Sequence, residues 1–308
     1  MATAEPIETP RRSRRGSGRA STWAILGGPL LWVLVFFVIP VIMIAMYSIG
    51  GISGLSPNDI EHFTLTPWKD FMGSSIYMGG VNPLGTGLFW KSVRMSLTVS
   101  LTALILAYPV GYLLALIAGR RKYVLLLVII VPFLTSYLLR ILAWRVILNP
   151  QGVVNTFLMD TLGVTDHPIT WFWNSNFAIY LVLSYVWVPF VALPIFVSLD
   201  NLDTSLLEAA SDLGASRLRT FWRITLPLSI PGVIAAFVFV FVPTIGEFVT
   251  PLLVGGPSGY MYGNAIQDVF TRGTDWQTGS VLAMFLLVVV AGLMALFGRY
   301  VRVRSVAA

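Results

Sequence analysis

Few residues in this chain are placed to do chemistry. Its 308 residues include no cysteine and only two histidines, which excludes disulfides, thiol catalysis and cysteine-held zinc. His62 and His167 stand in separate segments with no partner ligand nearby, so they read as surface residues and not as a metal site. None of the lysines Lys69, Lys91 and Lys122 follows a glycine, and no G-x-x-x-x-G-K-[ST] occurs. The chain therefore lacks that device for cradling ATP phosphates. No serine sits in a nucleophile elbow. Two features remain. One is Glu247, a carboxylate in the otherwise apolar FVFVFVPTIGEFVTP, where its use would be to hold a cation in a wet cavity. Aromatic faces are the natural complement for an ammonium group, and Tyr185, Trp187, Phe190 and Trp276 are the candidates to supply them. The other feature is LLEAASDLGASRLRTFWRITLPLSIPG, Leu206 to Gly232, a polar and mildly basic interruption between two apolar runs.

The elements that position these residues are helices in a membrane. Hydrophobic residues make up 56% of the chain and charged ones 11%, far from the quarter charged of a soluble domain. Apolar runs of spanning length, about 20 residues, lie near 22–48, 93–118, 123–145, 177–198, 229–250 and 279–298, so the reading is all-α with six transmembrane helices. Arg140 and Arg145 end the third run, and Pro189 and Pro194 interrupt the fourth.

Basic residues set the orientation. They gather at Arg11, Arg12, Arg14, Arg15 and Arg19, at Arg120, Arg121 and Lys122, at Arg217, Arg219 and Arg223, and at Arg299, Arg302 and Arg304. With six spans these four stretches share one side, so both termini and the polar interruption are expected in the cytoplasm. The net charge of +6 is then topological, and nucleic-acid binding is not expected. The first apolar run is too long for a secretory h-region and lacks a cleavage site, so it is expected to stay as an anchor. The expected organisation is a disordered basic tail at 1–20, a first span and outer loop at 21–91, a helical domain at 92–299 and a short tail at 300–308. In the second outer segment, NPQGVVNTFLMDTLGV has turn signals at Asn149-Pro150 and Gly152, followed by an amphipathic spacing that predicts a short surface helix.

The interruption reads as a helical hairpin. Ser205 and Glu208 fit a capping box at a helix start. Gly214 falls where that helix ends and a left-handed residue is useful. Ser216 is placed to cap a second short helix carrying Leu218, Phe221 and Trp222, and Pro227 and Pro231 punctuate the entry to the next span. On these grounds alone the hairpin serves a partner or simply packs on its own protein.

Glu208-Ala209-Ala210, three residues, Gly214, nine residues, then Ile224-Thr225-Leu226-Pro227 resembles the EAA signature of binding-protein-dependent ABC importer permeases. The resemblance covers about Ser92 to Arg299 and implies the type I permease fold. It implies that 205–227 couples to an ATP-binding subunit, with Glu208, Ala209, Ala210, Gly214, Ile224, Leu226 and Pro227 as the motif positions. The expected assembly has a pair of ATP-binding subunits, a second related permease and an extracytoplasmic solute-binding protein, in the bacterial cytoplasmic membrane. No cofactor is expected, and ATP hydrolysis belongs to the partner chain.

Val131–Trp144, Asn149–Asn155, Ile245–Pro257, Gly263–Phe270 and Thr274–Ser280 resemble the spermidine/putrescine branch of these permeases, although Asp275-Trp276-Gln277 replaces the branch's frequent Asp-Trp-Pro. That branch also contains importers for opines and other small organic solutes. Glu247 and Trp276 are the candidate path residues. The alternative reading of Glu247 is an ion pair with Arg140 or a helix-end contact. An ion-coupled secondary carrier would call for paired buried ionisable groups and broken-helix repeats, which do not stand out.

Overall fold

In a computed structural model, the structure describes residues 18–50, 63–72, 87–273 and 275–307. Residues 1–17 of the expected tail and much of the first loop, including His62, lie outside them, while 18–20 of that tail are helical. Five helices are long and apolar enough to cross a membrane, and a bent pair makes a sixth. In chain order they and the elements between them are α1 (Leu26–Ser48), which continues a helix begun at Gly18, α2 (Thr66–Met72), α3 (Leu88–Ile117), α4 (Gly119–Leu134) and α5 (Tyr137–Ile147). There follow α6 (Asn176–Asp200), α7 (Thr204–Asp212), α8 (Arg217–Ile245), α9 (Val249–Val254), α10 (Tyr262–Thr271) and α11 (Trp276–Ala307).

The centre is a three-helix packing of α3, α6 and α8. Val99, Ala103 and Ala107 of α3, Ile179, Leu183, Ala192 and Ile195 of α6, and Ala236 and Val240 of α8 are fully buried. Small residues bring the backbones together, as expected where lipid offers no hydrophobic drive between helices. A Cβ at Gly111 would meet Ile195 Cγ2 at 2.8 Å, and one at Gly232 would collide with Ser198 and the Pro194 carbonyl. Around this centre α1 and α2 pack on α11. Phe71, Phe89, Tyr262 and Phe285 form an aromatic cluster, with Phe285 centred 5.2–5.4 Å from Phe89 and Phe71. Leu31, Trp32, Phe36 and Phe37 of α1 are exposed, a face that suits acyl chains.

Two of the expected spans differ in shape. The third is not straight: α4 and α5 meet at 80°. Pro132 has no N–H to continue the ladder, Val131–Leu134 tightens to a 3-10 turn, and Thr135 and Ser136 are extended, with ψ of 160° and 131°. The fifth ends at Ile245 instead of 250, because Gly246 leaves the helix and Glu247 starts the next one. By contrast, α6 passes through Pro189 and Pro194 unbroken, and α8 does the same with Pro231 and Pro243. The short surface helix expected after Gly152 is present from Val153.

Candidate functional site

The hairpin is built by local backbone chemistry. Asp203 caps α7, its Oδ1 accepting the Ser205 N–H at 3.0 Å, in place of the expected Ser205–Glu208 box. The helix begins at Thr204, two residues earlier than the pattern implies, so the short aspartate already stands where a capping oxygen is needed. Bonds from Ser205 hold the Asp203 carboxyl below its ordinary pKa.

At the other end the Gly214 N–H donates to Ser211 O and the Ala215 N–H to Ala210 O, both at 2.9 Å. This pair of bonds is a Schellman closure, and it requires the left-handed residue that Gly214 supplies at φ +74°. Nothing lies within 4 Å of a Cβ built on Gly214, so the constraint there is conformational, not steric.

Ser216 Oγ then caps α8, accepting the Arg219 N–H at 3.4 Å. The second arm is not a separate short helix: α8 runs from Arg217 to Ile245 without interruption. A π-helical turn at Phe221–Thr225 immediately precedes Pro227. The wider turn absorbs the ladder bond that a proline cannot make.

Glu208, Ala209, Gly214 and Pro227 are exposed, Ile224 and Leu226 half-buried, and Ala210 buried. A cleft of about 300 Å³ between the arms is lined by Leu206, Ala209, Ala210, Leu213, Arg219 and Ile224. Phe221 anchors the hairpin to α3 against Tyr108 and Tyr112, with ring centres 5.7 and 6.0 Å apart. Beside it the Tyr108 hydroxyl and Ser229 Oγ are 2.9 Å apart. Leu213, Leu218 and Trp222 remain 87%, 69% and 61% exposed, an apolar tip on a polar segment. On the same side, Lys122 and Asp200 form an ion pair at 2.5 Å that joins α4 to α6.

At the opposite end of α8, Glu247 is half-buried. Its Oε1 accepts the Val249 and Thr250 N–H groups at 2.8 and 3.0 Å. The carboxylate thus caps α9, a helix-end contact favoured by the positive pole there. The Tyr137 hydroxyl of α5 bonds Thr250 Oγ1 at 2.8 Å and lies beside the carboxylate. Gly263 packs against the Gly246 and Glu247 carbonyls with no room for a Cβ, and Asn264 Nδ2 donates to Phe248 O at 2.9 Å.

Trp276 belongs to another cluster, with Phe270 and Tyr47 at 5.4 and 6.1 Å, and shares no recorded partner with Glu247. Of the candidate aromatics, Tyr185 joins Phe133 and Trp144 at 5.1 and 5.4 Å on the wall of a cavity of about 660 Å³. Trp187 packs on Phe190 and Phe239. Phe133 and Trp144 are additions that sequence reasoning missed, because the bend between α4 and α5 is what brings them to Tyr185.

Residues 107–306 match the family described as the binding-protein-dependent transport system inner membrane component. The spermidine/putrescine transport system permease protein PotB of Escherichia coli K12 is 36% identical over 265 residues, 86% of this chain and 92% of that relative. The chain belongs to this permease family. The inner membrane ABC transporter permease protein YdcU of the same organism is 29% identical, over 84% of this chain and 86% of the relative. A crystal structure of a bacterial ABC transporter that imports the acidic polysaccharide alginate superposes with a TM-score of 0.67 at 17% identity. That match covers 92% of this chain and 95% of the other, and it establishes the importer permease fold. The permease is therefore a multi-pass inner-membrane transport subunit, and the hairpin lies within the matched region.

Gly214→Val tests the closure. A β-branched residue held at positive φ costs at least about 1 kcal/mol, so amide hydrogen exchange at Ala215 should accelerate severalfold while α3, α6 and α8 keep their protection. Unchanged exchange at Ala215 would show that the hairpin does not depend on the left-handed residue.

Proposed function

We propose that this permease is one of two related membrane subunits of an ATP-driven importer for polyamines of the spermidine and putrescine class. Both termini and the 205–227 hairpin face the cytoplasm in this reading, with the Glu247 corner facing outward. The hairpin seats on an ATP-binding subunit through its apolar tip, using the motif positions Glu208, Ala209, Ala210, Gly214, Ile224, Leu226 and Pro227. An extracytoplasmic binding protein delivers solute at the opposite end.

The observation that carries the coupling reading is the continuity of α8. One helix joins a partner-facing hairpin to the segment that holds Glu247, so motion imposed at one end arrives at the other. Alternating access then follows from rocking α3, α6 and α8 as the nucleotide-binding pair closes and reopens. The solute class rests on the likeness to the E. coli spermidine/putrescine permease, and a carboxylate with nearby aromatic faces is the chemistry an alkyl diammonium needs. Glu247 is the residue we assign to the path. Trp276 is proposed as a flanking aromatic, farther along the same outward side. The orientation rests on the basic-residue asymmetry; labelling of Arg217→Cys by an impermeant thiol reagent from outside intact cells would reverse it.

Uptake of labelled putrescine and spermidine by the reconstituted complex tests the assignment. Glu247→Gln keeps the shape of the side chain and removes its charge, so uptake should fall about tenfold or more, the effect of losing one charge-assisted contact, with the amount of assembled complex unchanged. Wild-type uptake by the variant would remove Glu247 from the path. A wild-type complex that carries neither amine would end the solute assignment, and uptake driven by an ion gradient without ATP would end the importer reading.

A further inference from the structure

The bend between α4 and α5 carries a guanidinium two of whose nitrogens are shielded and unbonded. Arg140 lies one helical turn beyond Tyr137 on α5. Its Nε and Nη1 are shielded from solvent and have no hydrogen-bond partner among the described residues. The guanidinium carbon sits 5.3 Å from the centre of the Phe133 ring, and that ring lines the aromatic cavity beside Tyr185. The ion pairs formed among the described residues are Lys122–Asp200 and Arg272–Asp268, so Arg140 is in neither. A half-buried guanidinium with two shielded, unbonded nitrogens is a costly arrangement unless another state pairs it.

The counter-charge is close at hand. The Tyr137 hydroxyl bonds Thr250 Oγ1 at 2.8 Å and the Thr250 N–H bonds Glu247 Oε1 at 3.0 Å, so the turn of α5 that carries Tyr137 and Arg140 meets the carboxylate's neighbourhood across the contact of α5 with α9. Glu247 is not neutralised by a cation here: its Oε1 is taken up by two backbone N–H groups. Moreover, α5 is a leg of only eleven residues, joined to α4 through extended Thr135 and Ser136. Ile141, beside Arg140, is fully buried in the central core, so α5 is held in place and any exchange of partners is made by the long Arg140 side chain.

We propose that Arg140 is a tethered cation that sets the charge requirement of the path. Without solute it pairs with Glu247; when an alkylammonium arrives, solute and guanidinium exchange, and Arg140 retires to the Phe133 face, the position it has in this structure, which leaves the carboxylate open to the solute. The carboxylate then has a cationic partner in each of these two states. A solute without an ammonium group cannot displace the arginine, so the pair selects by charge. This inference rests on the reading of Glu247 as a path residue, and its test separates the two.

The experiment uses the assembled complex of permeases and ATP-binding subunits without its binding protein. Melting temperatures of the solute-free complex are measured for Arg140→Gln, Glu247→Gln and the double variant, and putrescine binding is measured by calorimetry. Pairing predicts non-additive melting shifts, the double variant losing no more than the worse single one. Exchange predicts that Arg140→Gln binds putrescine about fivefold more tightly, because no tethered cation competes, and that this gain vanishes in the Glu247→Gln background. Arg140→Lys should restore both the coupling and the weaker binding. Additive melting shifts overturn the pair, and unchanged or weaker putrescine binding by Arg140→Gln overturns the exchange. If Gln and Lys variants both fail to assemble, Arg140 is structural and the proposal falls. A wild-type complex that binds no putrescine defeats the solute reading, and the melting cycle still decides the pair.

Discussion

A peptide group stranded in hydrocarbon has no water to bond, so a membrane chain keeps its N–H and C=O groups inside helices except where side chains or neighbouring backbone take them up. Among the described residues of this permease, several of these exceptions are met by side chains. Where α8 ends, Glu247 supplies an oxygen to the first free N–H groups of α9, and Asn264 takes the Phe248 carbonyl. Nearby, the Ser258 and Tyr260 carbonyls are held by Lys91 Nζ at 2.6 and 2.7 Å. The breaks in the helical ladder are therefore where polar and charged side chains collect at depth. That is why Glu247 is at once a candidate path residue and a structural cap.

The same constraint underlies the proposed coupling between the two ends of the molecule. Two interior prolines and Pro227 sit in α8, yet the helix does not part. A π-helical turn ahead of Pro227 takes up the missing ladder bond, and the contact of Gly232 with α6 leaves no slack beside Pro231. At about 1.5 Å per residue its 29 residues make a rod of roughly 43 Å. Leu213, Leu218 and Trp222 project from its hairpin end, and the Glu247 cap holds the other. Force applied by a partner at the tip needs no chain of side-chain contacts to cross the membrane.

Much of this was legible in residue order, and the part that was not has a physical reason. The six apolar runs, the left-handed role of Gly214 and the Ser216 cap each depend on neighbours a few residues away, and each appears in the structure. The cap at Asp203 was missed because a capping-box pattern at Ser205 and Glu208 offered a start two residues later. The bend at Thr135–Ser136 was missed because Val131–Leu139 reads as one apolar run, and a proline alone does not say whether a helix breaks: Pro189 and Pro194 leave α6 intact. Glu247 stood out in the sequence, with a helix-end contact as one of its two alternative readings. Its bonding to the α9 backbone depends on where α8 stops, and the meeting of Phe133, Trp144 and Tyr185 on the angle of the bend. Both are tertiary facts.

The central claim is that α8 moves as a rigid rod between the hairpin and the Glu247 corner. The chain has no cysteine, so spin labels at Arg223→Cys and Phe239→Cys report on it directly. The account predicts a separation near 24 Å between the two backbone positions, the same within about 2 Å in the nucleotide-free and ATP-trapped complexes. A change approaching one helical turn, about 5 Å, would show that α8 flexes at its prolines, and that coupling travels by another route.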